Sequence, residues 1–185
     1  MPTFETYCQI ATLCRRIDPI PNIVGPAFGA AMCDTASRAV MGLFMLRIGV
    51  GDTLDIAHGE DELPTGDIRD QQRDLSWPPL GARNVLRARA GIEALPLDTR
   101  LGNRHRLLPL TAAEHLYVGA DIKIIHEGLV RVGCALGKFG RLPRLAKTAT
   151  RQLLTLRSRL DSVVCREFPD GINGEPPTHV YFGAR

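Results

Sequence analysis

The residues of this chain best able to move protons or hold a metal are its histidines and the carboxylates beside them. His126-Glu127 has the opening of a zinc-protease helix. That chemistry needs a second imidazole one helical turn on, so that two rings share one metal, and position 130 is Val. His115 precedes His126 by about three helical turns, which puts both on one edge of a helix but roughly 16 Å apart along its axis, too far to share an ion. Both therefore read as structural residues bordering a buried stripe. His58-Gly-Glu60-Asp-Glu62 gathers an imidazole and hard oxygen ligands compatible with Mg²⁺ or Ca²⁺, without the regular ligand spacing of a calcium loop. His58, Glu60 and Glu62 are the metal candidates of a segment that otherwise reads as a solvated acidic loop, and no cofactor is expected.

Arg100-Leu-Gly-Asn-Arg-His105 sets a cation and an imidazole five positions apart. The pair resembles the Arg-His pairing of the HEPN ribonucleases, which are small helical bundles; the likeness covers these two residues and the general helical character. It implies that Arg100 binds phosphate while His105 assists proton transfer. In that family the pair lies at a helix end, whereas here it falls in a Gly-Asn connector before Pro109, and a basic connector without catalytic meaning is the preferred reading. There is no Gly-rich phosphate loop, no Gly-x-Ser-x-Gly elbow and no paired-cysteine metal signature. Gly25-Pro-Ala-Phe-Gly29 has two glycines, but Pro26 lacks an amide that a phosphate cradle would use. The five cysteines, at 8, 14, 33, 134 and 165, are scattered and mostly set in apolar patterns. They read as reduced, buried thiols of a cytoplasmic protein.

Most elements that would position these groups are helices. Phe4 to Ile17 places apolar residues at three- and four-residue spacings and ends at Asp18-Pro19. A Pro/Gly linker through Gly29 should lead to a second apolar helix, about Ala30 to Ile48, closed by Gly49 and Gly51, with Asp34 and Arg38 as a surface pair. Its charges exclude a membrane span. Residues 52–82 then form a long acidic, irregular loop around Trp77, which is expected to dock on the bundle, and a short helix from Asn84 to Leu95 follows. Thr111-Ala-Ala-Glu114 is a capping box, so a helix begins there. Val118, Ile122, Ile125, Leu129, Val132 and Leu136 continue it as one apolar stripe. Gly137 and Gly140 interrupt the pattern, which restarts after Leu142-Pro143 and runs to Phe168. Two long stripes across so short a break predict an antiparallel helical hairpin over 111–168. The turn-rich tail, 169–185, contains Thr178-His-Val-Tyr-Phe182, which has strand propensity.

The fold expected is mainly α: a single bundle of four to five helices spanning 1–185, with the hairpin as its longest part, the acidic loop along one side and a short C-terminal strand. The net charge of +3 hides two opposite fields. Residues 138–167 carry eight cations against two acids, and residues 52–82 carry eight acids against two cations. Arg144, Lys147 and Arg151, three and four residues apart, share one face able to track phosphates. Cancellation of that face by the acidic loop, within or between subunits, is favoured, because aromatic residues that stack bases are missing from this helix. The expected function is that of a binding or assembly protein without a catalytic site. A protein partner or self-association is favoured over nucleic acid, no membrane is expected, and a small-molecule ligand is left open. The alternatives are a nucleic-acid-binding protein using the basic hairpin and a HEPN-like ribonuclease.

Overall fold

A computed structural model describes residues 1–54, 86–88, 91 and 109–183. Six helices make up most of them: α1 Phe4–Ile17, α2 Ile20–Phe28, α3 Ala30–Thr53, α4 Ala112–Leu136, α5 Arg141–Glu167 and α6 Pro177–Phe182. The packing pairs α1 with α3 and α4, α3 with α5, and α4 with α5, so these four helices close a ring around a common core. The short α2 lies against α3, and α6 lies across α4 and α5.

Local chemistry explains the helix starts. Thr3 caps α1, its hydroxyl accepting the Thr6 amide at 3.2 Å. Thr111 caps α4 in the same way, accepting the Glu114 amide at 3.3 Å, while the Glu114 carboxylate returns to accept the Thr111 amide at 2.7 Å. Helices of 25 and 27 residues, about 37 and 40 Å long, then face each other across a break of four residues, 137–140. The helix α5 starts two residues ahead of Pro143. A proline is tolerated in a first turn because amides there have no intrahelical acceptor to lose. The stripes predicted for the hairpin are the buried ones: Val118, Ile122, Ile125, Leu129 and Val132 on α4 meet Leu153, Leu156 and Leu160 on α5.

Three segments depart from expectation. The linker expected before Gly29 is helical, because Ile20, Ile23, Val24 and Ala27, at i, i+3, i+4 and i+7, all bury one face, and that burial outweighs Pro21, Gly25 and Pro26. Gly49 and Gly51 do not close α3, which runs on to Thr53. Gly49 gives room to α5: a Cβ there would lie 2.8 Å from Leu145 Cδ1. The C-terminal strand is replaced by α6. Val180 and Tyr181 are consecutive and both buried, which a strand, with alternate faces, achieves only inside a paired sheet, whereas one helical turn points both inward. An Asn173-Gly174 turn, both residues at positive φ, folds Ile172 against Glu175 and reverses the chain before α6. The acidic segment beyond residue 54, including Trp77, and nearly all of 84–95 lie outside the described residues. No helix among the described residues is long and apolar enough to cross a membrane.

The cysteines are all free, but only Cys14 is buried. Cys8 and Cys134 are exposed, because each lies off the apolar stripe of its own helix, which corrects the reading of five interior thiols. Burial pushes the Cys14 thiol up to about 12, against a smaller opposing pull from Arg47. Alkylation at mildly alkaline pH is expected to label Cys8 and Cys134 first and Cys14 only on unfolding, as read by peptide mass spectrometry. Labelling of Cys14 at the rate of Cys8 would contradict this packing.

Candidate functional site

Two kinds of polar arrangement stand out, one internal and one on the surface. The internal one is built where α4 begins, where α5 ends and where α6 crosses both. Glu114 and His115, consecutive residues in the first turn of α4, are fully buried. One Glu114 oxygen closes the capping box; the other receives the Arg87 guanidinium at 3.3 Å. His115 Nδ1 lies 2.8 Å from the Tyr181 hydroxyl on α6, and its Nε2 lies 3.2 Å from Glu167 Oε2 on α5. Phe28 stacks on the imidazole at 5.9 Å, and Phe168 meets it edge-on at 5.7 Å.

The chemistry fixes the direction of these bonds. Burial, together with the negative charges of Glu167 and Asp161, pushes the Tyr181 phenol far above its ordinary range, so it stays protonated. A carboxylate only accepts, so His115 Nε2–H donates to Glu167, and in the neutral imidazole Nδ1 is then the acceptor for the Tyr181 hydroxyl. Carboxylate, imidazole and phenol thus form a relay in geometry, but the relay spends its donors and acceptors on joining three helices, and both rings are sealed from solvent.

A second buried group follows along the same two helices. The Arg157 guanidinium lies 4.0 Å from the Phe182 ring centroid, and its Nε has no hydrogen-bond partner among the described residues. Burial first, and the charge of Arg157 second, hold His126 below the usual imidazole range, opposed by Glu127. His115 and His126 therefore serve different neighbourhoods, in agreement with their spacing in sequence. Among the described residues, no three His, Cys, Asp or Glu side chains come together to hold a metal. His58, Glu60, Glu62, Arg100 and His105 lie outside the described residues.

The surface arrangement is the outer face of α5. Arg144, Lys147 and Arg151 are all exposed there, and none forms an ion pair with an acid of the described residues. Lys138 and Arg141, also exposed, extend the charge to the hairpin tip. Farther along, Thr155 and Arg159 join Thr35, Arg38 and Gln152 in a shallow cleft of about 190 Å³ between α3 and α5. Arg159 is held in that cleft, donating to Thr35 Oγ1 at 2.7 Å and to the Ala31 carbonyl at 3.1 Å. The expected Asp34–Arg38 pair is a different bond: Arg38 Nε donates to the Asp34 carbonyl, not to its carboxylate.

Tyr181, Glu167 and Arg87 were not singled out by sequence reasoning. They reach the start of α4 from 66, 52 and 27 positions away, and no spacing rule links them. No protein-family model matches the chain, and neither a curated protein nor a solved structure matches it significantly.

Proposed function

We propose that this chain is a helical binding protein, not a catalyst, and that its working surface is the cationic outer face of α5 with the tip that precedes it. The observation that carries this reading is the exposure of Arg144, Lys147 and Arg151 on one face, none of them in an ion pair with an acid of the described residues. A buried charge would be spent on the fold; a row of solvated, like charges only repels itself until a polyanion neutralises it. From Arg141 to Arg151 the row is about 15 Å long, and strand phosphates of a duplex recur every ~3.4 Å along its axis, so one such row can engage several of them. Among the described residues, the imidazole of His115 and the phenol of Tyr181 are, by contrast, fully buried, with Glu167 partly exposed beside them.

A second reading, assembly of two copies, is favoured by the chain's own acidic segment. Residues 52–82 have the charge to complement α5 of another copy. The experiment is fluorescence anisotropy with heparin and with a labelled oligonucleotide at low and moderate salt, run beside sedimentation of the free protein. Micromolar binding that weakens steeply with salt, and that falls at least tenfold in Arg144→Ala/Lys147→Ala/Arg151→Ala with unchanged helicity, is expected. The triple variant should also flatten the salt dependence, by about 2 in the log–log slope for a single strand. No polyanion binding at low salt, with a dimer that dissociates as salt is added, would replace this reading by the assembly one.

A further inference from the structure

We propose that the polyanion is a single-stranded nucleic acid and that Phe139 stacks on one of its bases; this rests on the α5 reading above and adds to it the identity of the partner. Phe139 is 93% exposed. An exposed phenyl ring at that level gains nothing for the fold, and its place is between two cations, Lys138 and Arg141, at the tip of the α4–α5 hairpin. Gly137 and Gly140, at φ 82° and 110°, turn the backbone on either side of Lys138-Phe139. A Cβ built on either glycine meets no heavy atom within 4 Å, so the tip stands clear of the rest of the bundle. The aromatic residue that α5 itself lacks is thus supplied two residues before its first turn.

The combination selects among polyanions. A duplex offers phosphates to the cations but no free base face to a ring, since its bases are already stacked. A single strand offers both, and base-on-aromatic stacking beside a positive track is how sequence-tolerant single-strand binding is achieved. The track continues past Arg151 through Thr155 to Arg159 and Arg38 at the cleft, successive positions on α5 being four residues apart. From Arg141 to Arg159 it measures roughly 27 Å along α5, enough for several nucleotides.

An anionic membrane fits less well. The apolar face of α5 is occupied by the core, with Leu153, Leu156 and Leu160 fully buried, so the helix has no face to lay into a bilayer. If the hairpin met a membrane end-on, Arg151 would stand about 15 Å behind the first turn, beyond the ~8 Å over which a charged surface acts at physiological salt.

The test is anisotropy on the full chain with four probes: a 12-nucleotide single strand, an abasic strand of the same length and charge, the corresponding duplex, and vesicles containing anionic lipid. Phe139→Ala is expected to weaken binding to the single strand about five- to a hundredfold, the range that stacking supplies, and to leave binding to the abasic strand unchanged. Phe139→Trp should restore it, and because Phe139 is exposed, neither change should alter the denaturation midpoint. Equal single-strand binding by wild type and Phe139→Ala would overturn the stacking inference while leaving the α5 reading intact if the triple Arg/Lys variant remains weak. Full binding by that triple variant would overturn both. Vesicle binding lost in Phe139→Ala, with oligonucleotide binding unaffected, would assign the tip to a membrane and overturn the inference in favour of that partner.

Discussion

Replacing His115 by alanine is expected to lower the stability of the fold by about 3 kcal/mol, read as a fall in the urea midpoint at unchanged slope. Two effects add. The imidazole fills space between Phe28, Phe168 and Tyr181, and its removal leaves a cavity that the surrounding rings only partly close. It also strands the Tyr181 hydroxyl, which has no exposure to water, without the acceptor 2.8 Å away. Tyr181→Phe separates the two, because it deletes only the hydroxyl and should cost about 1 kcal/mol. If His115→Ala left the midpoint unchanged, the network would not be holding the fold, and a relay with no structural role would have to be considered as chemistry.

The same cluster shows what a sequence carries and what it hides. Helices announce themselves by local rules: the Thr111–Glu114 box acts over three residues, and the α4 and α5 stripes repeat every three or four, so both were legible from neighbouring residues alone. The misread elements are those where local and tertiary preferences disagree. Thr178, Val180, Tyr181 and Phe182 favour strand by propensity, but with no strand among the described residues to pair and with a place for two consecutive side chains between α4 and α5, the helix α6 wins. In α2, Pro26 and Gly25 obscured an apolar spacing that was present and could have been counted. The site residues divide in the same way. Arg144, Lys147 and Arg151 were visible as one face because helical periodicity is local. The partnership of His115 with Glu167 and Tyr181 depends on where α5 ends and how the tail returns, which only the assembled fold decides. Phe139 lies two residues before α5, outside the helix whose own sequence has no aromatic residue.

The docking of α6 leads to a pair of glycine substitutions on one helix with opposite expected signs. Taken alone, Gly→Ala inside a helix stabilises by roughly 0.5–1 kcal/mol, because alanine loses less backbone freedom on folding. At Gly133 that gain should be realised, since a Cβ there meets no heavy atom within 4 Å. At Gly119 a Cβ would collide with the Val180 carbonyl oxygen and lie 3.0 Å from its carbon, and these are backbone atoms that no rotamer change can move aside. The helix α6 must shift, and the shift pulls Tyr181 from His115 as well as compressing Val180. Overpacking of this kind costs about 1–3 kcal/mol, which exceeds the propensity gain. Gly119→Ala is therefore expected to lose about 1–2 kcal/mol and Gly133→Ala to gain about half of that, both measured by urea denaturation. Hydrogen exchange should localise the loss, with α6 amides opening sooner in Gly119→Ala while those of α5 keep their protection. Equal stabilisation by the two substitutions would mean that α6 does not rest on Gly119. The outer face of α5 lies apart from this contact, so polyanion binding by Gly119→Ala should match wild type at temperatures where the variant stays folded.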